Sequence, residues 1–166
     1  QIYTMEPEEE FAAEQRLVCR VLQLLDSEEL PVLFKMYSGV RKQLGQGGSE
    51  RMAYTLKAMA FLYTRFAIKV KQAEVSGAEA GVKIEKPFQY LNTGDGKGIL
   101  EIIAQTAPLE CFNMYLTCAH AADTCELPDL AYDLYTEAFT NYEENDGDSK
   151  DQVSMLTLMI PSLCAL

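Results

Sequence analysis

The stretch ERMAYTLKAMAFLYTRFAIKVKQAEV, residues 50–75, decides the fold class. Apolar side chains recur on it at steps of three and four residues, the spacing of one face of an α-helix. The members of this first stripe are Met52, Leu56, Met59, Tyr63, Phe66 and Val70. A second stripe, at steps of seven, consists of Tyr54, Phe61 and Ile68. A helix that is apolar on two faces lies between neighbours, so we expect Tyr63 and Phe66 in the core of a stacked helical array.

Helical patterns fill most of the rest of the chain, and short loops join them. The predicted windows are about 7–25, 28–44, 50–75, 82–92, 98–106, 108–124, 129–144 and from 149 onward. Short loops make successive helices antiparallel, and a row of antiparallel hairpins is either a bundle or an α-solenoid. The two apolar faces of 50–75 favour the α-solenoid. We therefore predict an all-α fold, an α-solenoid of HEAT-like antiparallel hairpins with about seven helices, counting 82–92 and 98–106 as one unit.

The domain organisation is predicted to be one solenoid segment over residues 1–166. Glycines and a proline weaken the helical pattern over 76–98, which we expect to be irregular or to contain loops. The chain opens on Gln1 instead of a methionine and ends on the apolar run 163–166. Both features lead us to expect that the segment is cut from a longer array.

Composition excludes several classes of partner. The formal net charge is −11, from 14 Lys and Arg against 25 Asp and Glu, whereas nucleic acid and anionic membrane surfaces require basic proteins. No apolar run approaches the roughly 20 residues of a membrane-spanning helix, so we expect no direct membrane insertion. The five cysteines are an odd number without a C-x-x-C motif. This favours reduced, buried thiols in a cytoplasmic protein.

The candidates for chemistry are weak. Gly94-Asp95-Gly96-Lys97-Gly98 resembles a phosphate loop, but a glycine stands where the magnesium-binding hydroxyl belongs, so a flexible loop is the better interpretation. Cys111, Cys118 and Cys125 are spaced by seven, roughly 10 Å per step along a helix, too far apart to share a metal. His120 is the only histidine and is predicted to be a partly buried structural residue. We therefore expect no catalytic group, cofactor, metal or small-molecule substrate.

Several short blocks resemble one protein family. The helix-forming run 14–20, the block 47–51 and the pair Thr55-Leu56 resemble the retromer scaffold family, vacuolar protein sorting-associated protein 35. Further collinear blocks are Ala131-Tyr132, Ala138-Phe139, Tyr142-Glu143, Asp148-Ser149-Lys150 and Leu156-Thr157-Leu158. The blocks cover roughly 1–75 and 107–163, whereas 76–106 matches poorly. Their specificity lies in the shared order, since none of them is a catalytic motif.

The resemblance implies a function and its partners. It implies a piece of the C-terminal half of a long α-solenoid, acting as a non-catalytic scaffold that is not an enzyme. In that family the solenoid half wraps a small, phosphoesterase-like retromer subunit, vacuolar protein sorting-associated protein 29. The implied location is cytoplasmic, on the cytosolic face of endosomes through partners, where the complex retrieves cargo receptors to the Golgi or to the cell surface.

Alternate helices of a solenoid line the same face. The resemblance makes the helices over 28–44, 76–106 and 129–144 the partner-facing set. Residues off their apolar stripes are the candidates for partner binding. These are Tyr132, Asp133, Glu137, Lys35 and Arg41. Two alternatives remain: a tetratricopeptide-like peptide-binding module, or a helical-bundle enzyme, whose paired Glu-x-x-His motifs are absent.

Overall fold

The computed structural model describes residues 7–46, 48–94, 96–144 and 149–164, and within them the backbone forms eight helices and no strand. The helices are α1 (Pro7–Gln23), α2 (Leu30–Leu44), α3 (Ser49–Val75), α4 (Lys86–Leu91), α5 (Ile99–Ala104), α6 (Pro108–Thr124), α7 (Pro128–Glu144) and α8 (Ser149–Cys164). The prediction of an all-α solenoid is confirmed. There are eight described helices instead of about seven because α4 and α5 are separate.

The helices form two layers. In the first layer α1 packs on α3, α3 on α6, and α6 on α8. In the second layer α2, α4 and α5 pack on α3, while α5 and α7 pack on α6. α2 and α7 therefore lie in the same layer, with α4 and α5 between them, as the alternation of a solenoid requires.

The long helix α3 carries much of the core. Tyr63 and Phe66 are 0% and 1% exposed, so the prediction that they are core residues is confirmed. Its second stripe is only partly covered. Tyr54 packs edge-on against Phe11 of α1, with ring centroids 6.3 Å apart. Phe61, however, is 52% exposed, so the prediction of a second buried face is wrong there, because no helix of the described chain covers that side of α3.

The terminal helices of the first layer keep apolar side chains in solvent. Leu22 is buried on α1 and Met155 on α8, whereas Leu17 and Val21 of α1 and Ile160 of α8 are exposed. The apolar face expected on α1 is thus covered only where it meets α3. Residues 165–166 and the side chains of 163 and 164 lie outside what the structure describes, and the origin of the segment in a longer array stays a prediction.

The described residues of 76–98 are irregular except for α4. The observed helices Lys86–Leu91 and Ile99–Ala104 are shorter than the predicted windows 82–92 and 98–106. Gly81 adopts a φ of 65°, which a right-handed helix does not allow. Loop residues therefore occupy the first part of the predicted 82–92 window.

Candidate partner-binding surface

The five candidate residues all lie in the second layer. Tyr132, Asp133 and Glu137 are exposed on α7, and Tyr132 is 72% exposed. Lys35 is exposed on α2, whereas Arg41 of the same helix is half-buried. The structure thus places the candidates in one layer, in two groups separated by α4 and α5.

The pattern of burial on α7 explains why these side chains point outward. The buried side chains of α7 are Ala131, Leu134, Tyr135 and Ala138. They recur at steps of three and four and form the side that packs on α6. Asp133 and Glu137, four residues apart, lie on the opposite side of the helix. Their exposure therefore follows from the same stripe that builds the core.

Charge is divided between the two ends of this layer. α7 carries no Lys or Arg, and all five of its acidic side chains are exposed: Asp129, Asp133, Glu137, Glu143 and Glu144. α2 carries no Asp or Glu, and its basic side chains are Lys35, Arg41 and Lys42. The sequence analysis missed this division because it added charge over the whole chain. Counting charge helix by helix would have found it.

Arg41 differs from the other candidates because the fold already uses it. Its guanidinium carbon lies 4.8 Å from the centroid of the Tyr90 ring, a cation–π contact. Its Nη2 donates to the carbonyl oxygen of Lys97 at 3.4 Å. Tyr90 in turn stacks on Tyr63, with centroids 5.4 Å apart. Arg41 therefore already makes contacts within the fold, and its part in partner binding stays a prediction.

His120 ties three helices together. Its Nδ1 lies 3.3 Å from the Tyr135 hydroxyl of α7, and its Nε2 lies 2.7 Å from the Ser162 hydroxyl of α8. The ring is half-buried, as predicted for a structural histidine. Because both ring nitrogens are engaged within the fold, neither is placed to activate a thiol.

The described buried cysteines are held as neutral thiols. Burial raises the pKa of Cys111 to about 12 and the pKa of Cys118 and of Cys125 to about 11. Cys111 also donates to the carbonyl oxygen of Leu100 at 3.1 Å. Since the thiolate is the reactive form of cysteine, this environment favours packing over nucleophilic chemistry.

The glycine-rich loop before α5 already holds an anion, the carboxylate of Glu101. That carboxylate accepts from the amides of Gly94 and Gly98, both at 2.6 Å, and from the Thr93 hydroxyl at 2.7 Å. A phosphate would need such amide donors. Asp95 of this motif lies outside the described residues. The amides of Gly94 and Gly98 and the Thr93 hydroxyl already donate to the Glu101 carboxylate. This argues against the phosphate-loop interpretation.

Other kinds of site are not evident in the described chain. Across residues 7–46, 48–94, 96–144 and 149–164, no three His, Cys, Asp or Glu side chains converge as they would around a metal ion. Over the same ranges, every helix is too short or too polar to cross a bilayer.

A family model and several curated proteins match the chain. The family model described as vacuolar protein sorting-associated protein 35 matches residues 1–166. Vacuolar protein sorting-associated protein 35B of Arabidopsis thaliana is 35% identical over 161 residues, covering 94% of this chain and 19% of that protein. The 35A protein of the same plant is 32% identical, with 94% and 20% covered.

A protein from a different organism matches as well. Vacuolar protein sorting-associated protein 35 of Dictyostelium discoideum is 30% identical over 157 residues, covering 92% of this chain and 20% of that protein. The chain thus spans about a fifth of the length of these curated relatives. With a family model that matches from end to end, the chain belongs to the vacuolar protein sorting-associated protein 35 family.

Proposed function

We propose that the chain is a segment of a retromer scaffold, a non-catalytic subunit that holds a cargo-recognition complex together. In this proposal the complex works in retrieval from endosomes to the Golgi and to the cell surface. The chain acts in the cytoplasm and reaches the cytosolic face of endosomes through its partners. Family membership supports the scaffold role, and the two-layered array supplies long, open surfaces of the kind that bind proteins.

The proposed partner is the small, phosphoesterase-like retromer subunit, vacuolar protein sorting-associated protein 29, docked on the second layer. The observation that carries this assignment is the placement of α2 and α7 in one layer with their charged sides outward. Tyr132 is the strongest single candidate, because a large aromatic side chain that is 72% exposed gains the most from burial at an interface.

Calorimetric titration of the chain with this partner tests the proposal. Tyr132→Ala is expected to weaken binding at least about tenfold, as truncation of an aromatic hot spot does. The matched control is Phe61→Ala, which removes an exposed aromatic side chain from the first layer and should leave binding unchanged. If Phe61→Ala weakens binding and Tyr132→Ala does not, the partner lies on the other layer. If the intact chain does not bind, the proposed partner is wrong for this segment.

The two alternatives have less support. A tetratricopeptide array repeats two helices every 34 residues, whereas the helices here range from 6 residues in α4 to 27 in α3. A helical-bundle enzyme encloses its site between facing helices, whereas the acidic side chains of α7 are exposed on an open layer. The side chains of His120 and Cys111 are already hydrogen-bonded within the fold.

A further inference from the structure

A cleft opens in the second layer between the last turn of α2 and α5. Its volume is about 260 Å³. Its apolar floor consists of Met52, Leu56, Ile99 and Ile102. Its rim consists of Arg41, Lys42, Gly45 and Gln46. These residues come from the end of α2, the turn that follows it, the first part of α3, and α5.

The size of the cleft selects what can enter it. Pockets for small molecules usually measure roughly 300–1,000 Å³, so this cleft is smaller than a typical ligand site. Its floor includes Leu56 and Ile99, which belong to the hydrophobic core, and it therefore offers apolar contact at the bottom. A single aliphatic or aromatic side chain matches both features better than a free metabolite does.

The positive charge at the rim favours an acidic group next to that apolar side chain. Arg41 and Lys42 lie in the last turn of α2, where cations also favour the negative end of the helix dipole. Charge alone therefore does not mark a site there. However, none of the eight lining residues is acidic, in a chain with 25 acidic and only 14 basic residues. A carboxylate next to the apolar side chain would meet two cations and no like charge.

Arg41 is held in place before any partner arrives. Its contact with the Tyr90 ring and its hydrogen bond to Lys97 restrict the guanidinium. A side chain that is already ordered loses less conformational entropy on binding. Lys42 is exposed on the same rim and adds a second positive charge that steers an acidic group towards the cleft.

We propose that the α2–α5 cleft receives one apolar side chain, flanked by a carboxylate, from the protein that docks on the second layer. This rests on the proposed function, because it names the contact that the partner makes at the basic end of the layer. The acidic side chains of α7 then fix the orientation of the partner, since a partner with its acidic segment on α7 would meet like charges.

The first experiment uses peptides and does not depend on any retromer subunit. Methyl-labelled protein is titrated with acetyl-Glu-Leu-Glu-amide while the methyl resonances of Met52 and Ile102 are followed by NMR. Both resonances should shift. Acetyl-Lys-Leu-Lys-amide and acetyl-Glu-Ser-Glu-amide, which lack the charge or the apolar group, should bind at least about fivefold more weakly. Equal binding of all three peptides, or no shift at these methyl groups, would overturn the proposal.

The second experiment uses the phosphoesterase-like subunit and charge-reversed variants. Lys42→Glu should weaken its binding at least about fivefold. Arg16→Glu makes the same change of charge at an exposed site on α1 and should have no effect. If the wild-type chain binds and Lys42→Glu binds equally well, the cleft is not the contact, although the proposed function stands. If the wild-type chain does not bind, the proposed function fails, and the peptide titration alone decides the chemistry of the cleft.

Discussion

α6 and α7 each run for 17 residues, whereas α4 and α5, which precede them in the chain, each run for six. The long pair is stabilised by burial of side chains on the helices themselves. Nine side chains of α6 are buried, and only three residues connect α6 to α7. Isolated helices shorter than about 12–15 residues are marginal in water. The short pair must therefore be stabilised by groups from outside its own helices.

Those groups are visible around α4 and α5. Tyr90 of α4 stacks on Tyr63 of α3 and carries the guanidinium of Arg41 on its ring. The loop between the short helices closes on the carboxylate of Glu101. Gly98 is needed there, because a Cβ would lie 2.7 Å from the carbonyl oxygen of Leu91. The difference between the two pairs is that periodic burial builds one, whereas a few specific contacts build the other.

The largest expected effect comes from breaking the long pair. Phe112 of α6 is 0% exposed, and Phe112→Ala should lower the free energy of unfolding by about 3–5 kcal/mol, from lost burial and the cavity left behind. Denaturant titration measures this loss. Phe61→Ala removes the same group where it is 52% exposed and should cost less than about 1 kcal/mol. Equal losses of unfolding free energy in the two variants would mean that the α6–α7 pair is not the stable part of the array.

A smaller, local effect is expected from the short pair. Glu101→Gln puts an amide group where the carboxylate accepts from Gly94 and Gly98, and should cost about 1–3 kcal/mol. Hydrogen exchange checks where the effect falls. The amides of Gly94 and Gly98 should exchange faster, whereas the amide of Glu126, bonded to the carbonyl of Asp123, should keep its rate. A uniform increase across the chain would show that the short pair does not open by itself.

The same carboxylate predicts how stability depends on pH. Burial alone would raise the pKa of Glu101, but hydrogen bonds from Thr93, Gly98 and Gly94 outweigh it and lower the pKa below its ordinary value. A carboxyl whose folded pKa is lowered stabilises the fold above its unfolded pKa, about 4.3 for glutamate. That contribution is lost as the pH falls through the folded pKa.

Melting curves between neutral and acidic pH test this sign. The gap in melting temperature between wild type and Glu101→Gln should be constant above about pH 5 and should narrow as the pH falls below the unfolded pKa of about 4.3. A gap that widens in acid would contradict the assignment of the carboxylate as the anion that closes the loop.

The contrast between the pairs also explains what could be predicted from sequence. The window 108–124 matches α6 and 129–144 differs from α7 by one residue, because a stripe spread over many turns fixes the helix. Both windows for the short pair were too long, since their ends depend on Gly81 and on the Glu101 hydrogen bonds, which no periodicity reveals. The exposure of Tyr132 could be predicted from the apolar stripe of α7. The cleft beside Lys42 could not be predicted from sequence, because it depends on how far α5 lies from α2.

The smallest expected effect is a gain in thermal stability at the C-terminal end of α6, where a residue other than glycine has a positive φ. α3 and α6 end in the same motif: Ala78 N–H donates to Ala73 O, and Leu127 N–H donates to Ala122 O. The left-handed position is Gly77 in α3, with φ 76°, but Glu126 in α6, with φ 59°. This conformation suits glycine and strains other residues.

Glu126→Gly should therefore raise the melting temperature by about 2–4 °C. The lost ion pair with Lys71 opposes this gain only weakly, because exposed pairs contribute little. The reciprocal control is Gly77→Ala, which places a Cβ at the same motif in α3 without a clash, since no atom lies within 4 Å. It should lower the melting temperature through backbone strain alone. If Glu126→Gly is destabilising, the Lys71 pair outweighs the strain, and the α6–α7 turn depends on a side chain contact as the α4–α5 loop does.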